Sequence, residues 1–166
     1  MAANITLKYG WADMDEKLLE ICEFSGIGYK PLIDFGTWRV AFLRYIDELI
    51  PDRIERVERH NETDEVFVLL AGQAVLFIGD GDTQVTGLTP LVMEPGKLYN
   101  VKRCAWHAVV LSLDATILLV ENCDTSKANS DYTPLSAPLR RMLIETAARE
   151  QPDCWGIGKY DPQPQV

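Results

Sequence analysis

The feature that most limits what this chain can become is the shortness and close spacing of its apolar runs. From about Thr37 onward, hydrophobic residues come in stretches of strand length, cut repeatedly by glycine, proline and aspartate. Trp38, Val40 and Phe42 alternate with Arg39, Ala41 and Leu43, the period of two that belongs to a strand. The Trp38/Val40/Phe42 face, which Arg44 ends, reads as the inward one. Pro51-Asp52 breaks this run, and Arg53 to His60 gives a further extended stretch. Glu65 to Leu70 and Gln73 to Ile78 flank Ala71-Gly72, a hairpin signal. Beyond the turn at 79–82, strand-like pieces are expected over 84–86, 90–93, 98–102, 106–111 and 115–121. Pro95-Gly96 and Leu113-Asp114 supply turns between them. Many short strands at such intervals predict a sandwich or a barrel.

Two runs are apolar on both faces, Val66 to Leu69 and Ile117 to Val120. A sheet with one face in water would alternate, so something must cover the second face. Two packed sheets plus a homodimer contact would do so. Helices are expected only at the ends. Asp13 to Ser25 carries Leu18, Leu19, Ile21 and Cys22 at helical spacing, with Gly26 as its stop. Gly26 to Gly28 and Pro31 then argue for a loop. Residues 136–150 make the better helix: Ser136 can cap it, Pro138 lies in its first turn, and Leu139, Met142, Leu143 and Ala147 form a stripe. No repeat divides the chain, so 1–166 reads as one domain with a barrel over about 30–125. The tail 161–166 is too polar and proline-rich to pack.

Composition is ordinary for a globular protein, 47% hydrophobic and 25% charged, but the net charge is −9. An acidic surface repels phosphate backbones, and the basic residues are scattered among acids, so nucleic acid is not an expected partner. Four cysteines (22, 104, 123 and 154) show no paired spacing, which argues against a zinc ribbon or redox motif. The start lacks the apolar core of a signal peptide, and no run approaches a membrane span. A reducing cytoplasm with free thiols is the expectation.

The chemistry gathers around the two histidines. His60 lies in Glu58-Arg59-His60, with Glu65 after a gap of four and Gly72 after a further gap of six. Gly96 is followed after five residues by Lys102, then Cys104, with His107 three beyond it. These spacings resemble the two signature motifs of the cupin superfamily. Glu58 stands where the first motif has a histidine, and Lys102 and Cys104 replace the proline and glycine of the second. Leu111 stands where an asparagine often closes it. The resemblance implies a double-stranded β-helix, the cupin jelly-roll barrel.

Glu58 and His60 are two apart on a strand, so both leave the same face. If that face lines the barrel, Glu65 and His107 can converge on it from neighbouring strands. Two imidazoles with one or two carboxylates suit a borderline divalent metal, Mn, Fe, Ni or Zn. Taken singly, either histidine would read as structural, and a polar face of Arg56, Glu58 and His60 as solvated. It is their joint fall on motif anchors that points to a small-molecule site.

Within the superfamily the chain looks nearest to ureidoglycolate lyase. The likeness rests on Glu58-Arg59-His60, Phe67, Asn100, Arg103 with Trp106-His107, and the strand Leu118-Leu-Val-Glu-Asn122. Lys102 stands where that family usually has histidine, and Glu65 where it usually has an amide. The resemblance implies a lyase acting on a small polar acid, with Glu58, His60, His107 and Lys102 as candidate catalytic groups. Arg44 and Lys102 are candidates to hold a substrate carboxylate, and Tyr99 and Trp106 to wall the pocket. The alternative is a non-catalytic cupin module that binds a small molecule or a metal.

Overall fold

The computed structural model describes residues 15 and 17–150. Ten strands and one long helix follow in order: β1 (Tyr29–Phe35), β2 (Trp38–Arg44), β3 (Arg56–His60), β4 (Glu65–Ala71), β5 (Ala74–Asp80), β6 (Gly87–Val92), β7 (Tyr99–Val101), β8 (Trp106–Leu111), β9 (Thr116–Asn122), β10 (Ser130–Pro134) and α1 (Ala137–Glu150). Two short 3-10 turns, Asp47–Leu49 and Pro51–Arg53, join β2 to β3. The strands form two five-stranded antiparallel sheets, ordered β1-β2-β9-β4-β7 and β10-β3-β8-β5-β6. Most neighbours in each sheet are distant in sequence, so the chain crosses repeatedly from one sheet to the other, as in a jelly roll.

Alternation along the strands divides the hydrophobic residues into two cores. Ala41, Leu43, Phe67, Leu69, Leu76, Val109, Leu111, Ile117 and Leu119 pack between the sheets. Val57, Val75, Phe77, Trp106 and Val110 leave the opposite face of the second sheet and pack against Leu143 and Ala147 of α1. The helix therefore covers the second face of β5 and β8, whereas the doubly apolar runs 66–69 and 117–120 lie on β4 and β9 of the other sheet. On the first sheet the outward Val40, Phe42, Val66, Val68, Leu118 and Val120 are only partly buried.

Several expectations need correction. The 13–25 segment shows only a turn at 17–18 and no helix among its described residues. Leu18, at 79% exposure, and Ile21, at 56%, find no surface to pack on, and so short a helix does not hold alone. The Ala71-Gly72 hairpin is instead a corner, because β4 and β5 belong to opposite sheets. Gly72 turns it with φ +67, and an added Cβ would lie 2.6 Å from the Ala115 backbone. No strand forms at 84–86, whereas β1 runs through Pro31, a residue tolerated on an edge strand beside a bulge. The polar edge strand β10 had no apolar pattern to reveal it. The helix at 136–150 is present as α1, and the tail 161–166 and Cys154 lie outside the described residues. Among the described residues, no helix is long and apolar enough to cross a membrane.

Cys104, which stands at the glycine of the second motif, has φ 65, the only non-glycine residue with positive φ among those described. Its exposed thiol reaches only Asn61 Oδ1, at 4.0 Å. Left-handed backbone costs an L-residue about 1–2 kcal/mol, and glycine avoids that at some cost in chain entropy. Cys104→Gly is therefore expected to stabilise the fold by up to about 1 kcal/mol in urea unfolding. A loss of stability would show that the side chain contributes packing not visible in its contacts.

Candidate functional site

Four strands from both sheets bring ionisable groups to the inner face, β3 more than one. On β3 the alternation puts Arg56, Glu58 and His60 on the cavity side and Val57 against α1. Glu58 pairs across the sheet with His107 on β8. Glu65 opens β4, and Glu121 lies near the end of β9, both buried.

The Nε2 atoms of His60 and His107 each lie 3.1 Å from the same oxygen, Glu65 Oε2. The rings sit 5.2 Å apart, inclined at 63°, and Phe67 packs edge-on to His107. Each far nitrogen is held as well. His60 Nδ1 is 2.8 Å from Ser130 Oγ, and His107 Nδ1 is 3.0 Å from the Ala105 carbonyl. A carbonyl only accepts, so His107 Nδ1 carries a proton. Its Nε2 then faces Glu65 either as a second N–H of an imidazolium or as a lone pair directed at a cation.

Burial opposes ionisation of Glu65, but the two imidazoles outweigh it and hold the carboxyl down to about 2. Burial likewise opposes charge on His60 and His107, and contact with Glu65 raises both above the ordinary 6.5. Burial lifts Glu121, the Tyr29 hydroxyl that it accepts from pulls it back, and the nearby Glu65 charge lifts it again. The net direction is upward.

These groups face a cavity of about 540 Å³, within the range of small-molecule sites. Leu43, Phe67, Val109 and Leu119 make its apolar wall, and Tyr29, Arg53, Glu55, Arg56 and Tyr132 also line it. The Arg56 guanidinium lies 4.6 Å over the Tyr132 ring, while Arg53 pairs with Asp47.

Of the residues singled out in the sequence, Glu58, His60, Glu65 and His107 come together. The others do not reach the cavity. Arg44 lies with Val40 and Phe42 on the outer face, because Ala41 and Leu43 are the inward residues of β2, and it donates to the Phe24 carbonyl. Lys102 is exposed and paired with Asp64 at 2.8 Å. Tyr99 packs on the inner core, its hydroxyl accepting from the Glu94 backbone N–H. Trp106 is buried under α1, donates to the Asp82 carbonyl, and carries Arg59 on its ring. Glu121, Tyr29, Ser130 and Tyr132 were missed. For Glu121 a signal existed: the inward alternation Ile117, Leu119, 121 ends in a carboxylate.

Among the described residues, two sets of side chains can hold a cation, Glu58–His60–His107 and His60–Glu65–Glu121, each with its ligand atoms within 4.8 Å of one another. Their mixed nitrogen and oxygen donors suit a borderline divalent metal. The hydrogen bonds to the far imidazole nitrogens are the outer partners that metal-binding histidines commonly have.

No protein-family model matches this chain, and no curated protein matches it. Among solved structures it is similar to the nucleoside dehydratase Pac13 of Streptomyces, solved with uridine (9% identity, 69% of this chain and 84% of that one, TM-score 0.49). It is also similar to a cupin-2 domain protein of Shewanella frigidimarina (17% identity, 60% and 84%, TM-score 0.42). A cupin superfamily protein of Desulfitobacterium hafniense is a third (18% identity, 65% and 86%, TM-score 0.43). The jelly-roll assignment stands on the sheet topology itself.

The protonation pattern has a measurable consequence in chelated protein. The raised histidines contribute stability that is complete below 6.5 and lost as pH rises through their folded values. The depressed Glu65 contributes stability that is complete above 4.5 and lost as pH falls towards 2. All three act together between those limits, so the melting temperature in EDTA should peak there and decline on the alkaline side. Glu65→Gln should flatten that alkaline decline, and an unchanged slope in the variant would refute the assignment.

Proposed function

We propose that this chain is a cupin-type small-molecule enzyme whose chemistry takes place at His60, Glu65, His107 and Glu58, and that it is a lyase or isomerase of ureidoglycolate-lyase-like kind acting on a small polar acid. The observation that carries the reading is the convergence of two imidazole Nε2 atoms on one buried carboxylate oxygen beside a cavity of ligand size. A purely structural ion pair would have no need of such a space.

His60, Glu65 and His107 would hold a divalent cation, Mn, Fe, Ni or Zn, with Glu58 or Glu121 closing the set. Such an ion, when bound, supplies Lewis-acid polarisation of a substrate oxygen. Glu58 is partly exposed on the cavity wall and is the group placed to move a proton. In a lyase step it takes the substrate hydroxyl proton as the C=O bond forms and the C–N bond breaks. It then returns that proton to the departing nitrogen, so the same carboxyl acts as base and acid. Substrate anchoring passes from Arg44 and Lys102 to Arg56, whose guanidinium is steadied on Tyr132 and lines the cavity.

Carbonyl product released from ureidoglycolate and related hydroxy acids tests the reading. His60→Ala and His107→Ala should each lower the rate by about 10²–10⁴-fold while cooperative melting persists. Unchanged rates in both folded variants would end the catalytic proposal.

We also propose a homodimer through the outer face of the β1-β2-β9-β4-β7 sheet. Its partly buried Phe42, Val68 and Leu118 adjoin exposed Phe35 (70%) and Leu70 (48%). Light scattering at micromolar concentration should give twice the chain mass, and Leu118→Arg should reduce it to one. A monomeric wild type would remove the dimer.

A further inference from the structure

We propose that Glu121, not Glu58, closes the cation site, and that the Tyr29 hydroxyl is the positioning group that holds its carboxylate. This rests on the reading that the His60–Glu65–His107 centre takes a divalent cation.

The β4–β9 ladder supplies the first reason. Its register pairs Val66 with Val120 and Phe67 with Leu119, so one step further along sets Glu65 beside Glu121. Both side chains are inward, 6% and 7% exposed. Like charges directly opposed on a sheet are destabilising, and more so away from water. Glu65 has two imidazoles to answer its charge. Glu121 has no ion pair among the described residues: its partners are the Tyr29 and Thr125 hydroxyls, and Arg39, opposite it on β2, is engaged by Asp34 and Tyr29. A dication between the two carboxylates would answer both charges at once.

Geometry supplies the second reason. The ligand atoms of His60, Glu65 and Glu121 lie within 4.8 Å of one another, and all three residues are buried. The competing set with Glu58 includes a partly exposed member. Tyr29 reaches Glu121 from β1, where it pairs with inward Leu43 of β2. The arrangement leaves Glu58 unligated on the cavity wall, free to face a substrate.

Calorimetric titration of EDTA-stripped protein with MnCl2, together with the visible spectrum of the Co2+ form, tests the proposal. Glu121→Gln, which keeps the side-chain shape, should weaken Mn2+ binding at least tenfold and alter the Co2+ bands. Tyr29→Phe should weaken binding by about tenfold, the loss expected on removing an outer partner of a ligand, with a smaller spectral change. Glu58→Gln should leave affinity within about threefold and the spectrum unchanged. Glu58→Gln weakening binding as much as Glu121→Gln, or Glu121→Gln binding like wild type, overturns the proposal and leaves the cation reading intact. A wild type that takes up neither ion overturns both.

Discussion

A carboxylate removed from water stays ionised only if opposite charge and hydrogen-bond donors stand within reach. Glu65 meets that demand through one oxygen shared by two imidazole nitrogens. No single sheet provides the three groups: β3 and β8 carry the histidines, and β4 of the facing sheet carries the carboxylate. The contact therefore ties the two layers together at the place where the apolar interior gives way to a cavity. Removing one partner of such a buried pair typically costs about 3–5 kcal/mol, so the site is also part of what holds the sandwich closed.

The rest of the architecture keeps that contact in register. Asp64, next to Glu65, accepts from Asn100 Nδ2, Lys102 Nζ and the Arg103 backbone N–H. Those bonds hold its carboxyl down to about 2 and clip the β7–β8 turn onto the approach to β4. The Cys104 N–H donates to the His60 carbonyl in the same turn. Lys102 and Cys104 thus fix the path of the chain between the two histidines, while neither side chain lines the cavity. On the far side, α1 seals the second sheet with Leu143 and Ala147, so β3 and β8 are backed by packed core.

Charge is distributed with a sense. The inner end of the cavity is lined by Glu58, Glu65 and Glu121 with two imidazoles, and its permanent cations are Arg53 and Arg56. Arg53 is occupied by Asp47, which leaves Arg56 on its tyrosine as the cationic handle. The cavity thus carries a planar guanidinium and an imidazole–carboxylate centre whose strand positions, Arg56 and His60, are four residues apart, about 13 Å at 3.3 Å per residue.

The sequence by itself determined most of the inner strands, though not β1 or β10, because a period of two and turn residues at close intervals are local properties. β8 and α1 were legible for that reason, and the set Glu58, His60, Glu65 and His107 through the resemblance of its spacing to the cupin motifs. It did not determine which face of β2 turns inward, since Val40/Phe42 and Ala41/Leu43 are both apolar and only the opposite sheet distinguishes them. The same ambiguity misplaced Arg44 and Trp106. Nor could it show that Gly72 turns a corner between sheets, or that a C-terminal helix covers β5 and β8. Tyr29 joined the site only in three dimensions, because β1 is separated from β4 by β2 and β9 in the sheet and its tyrosine meets Glu121 of β9 across β2. Local pattern decides what a segment is; long-range packing decides what it touches.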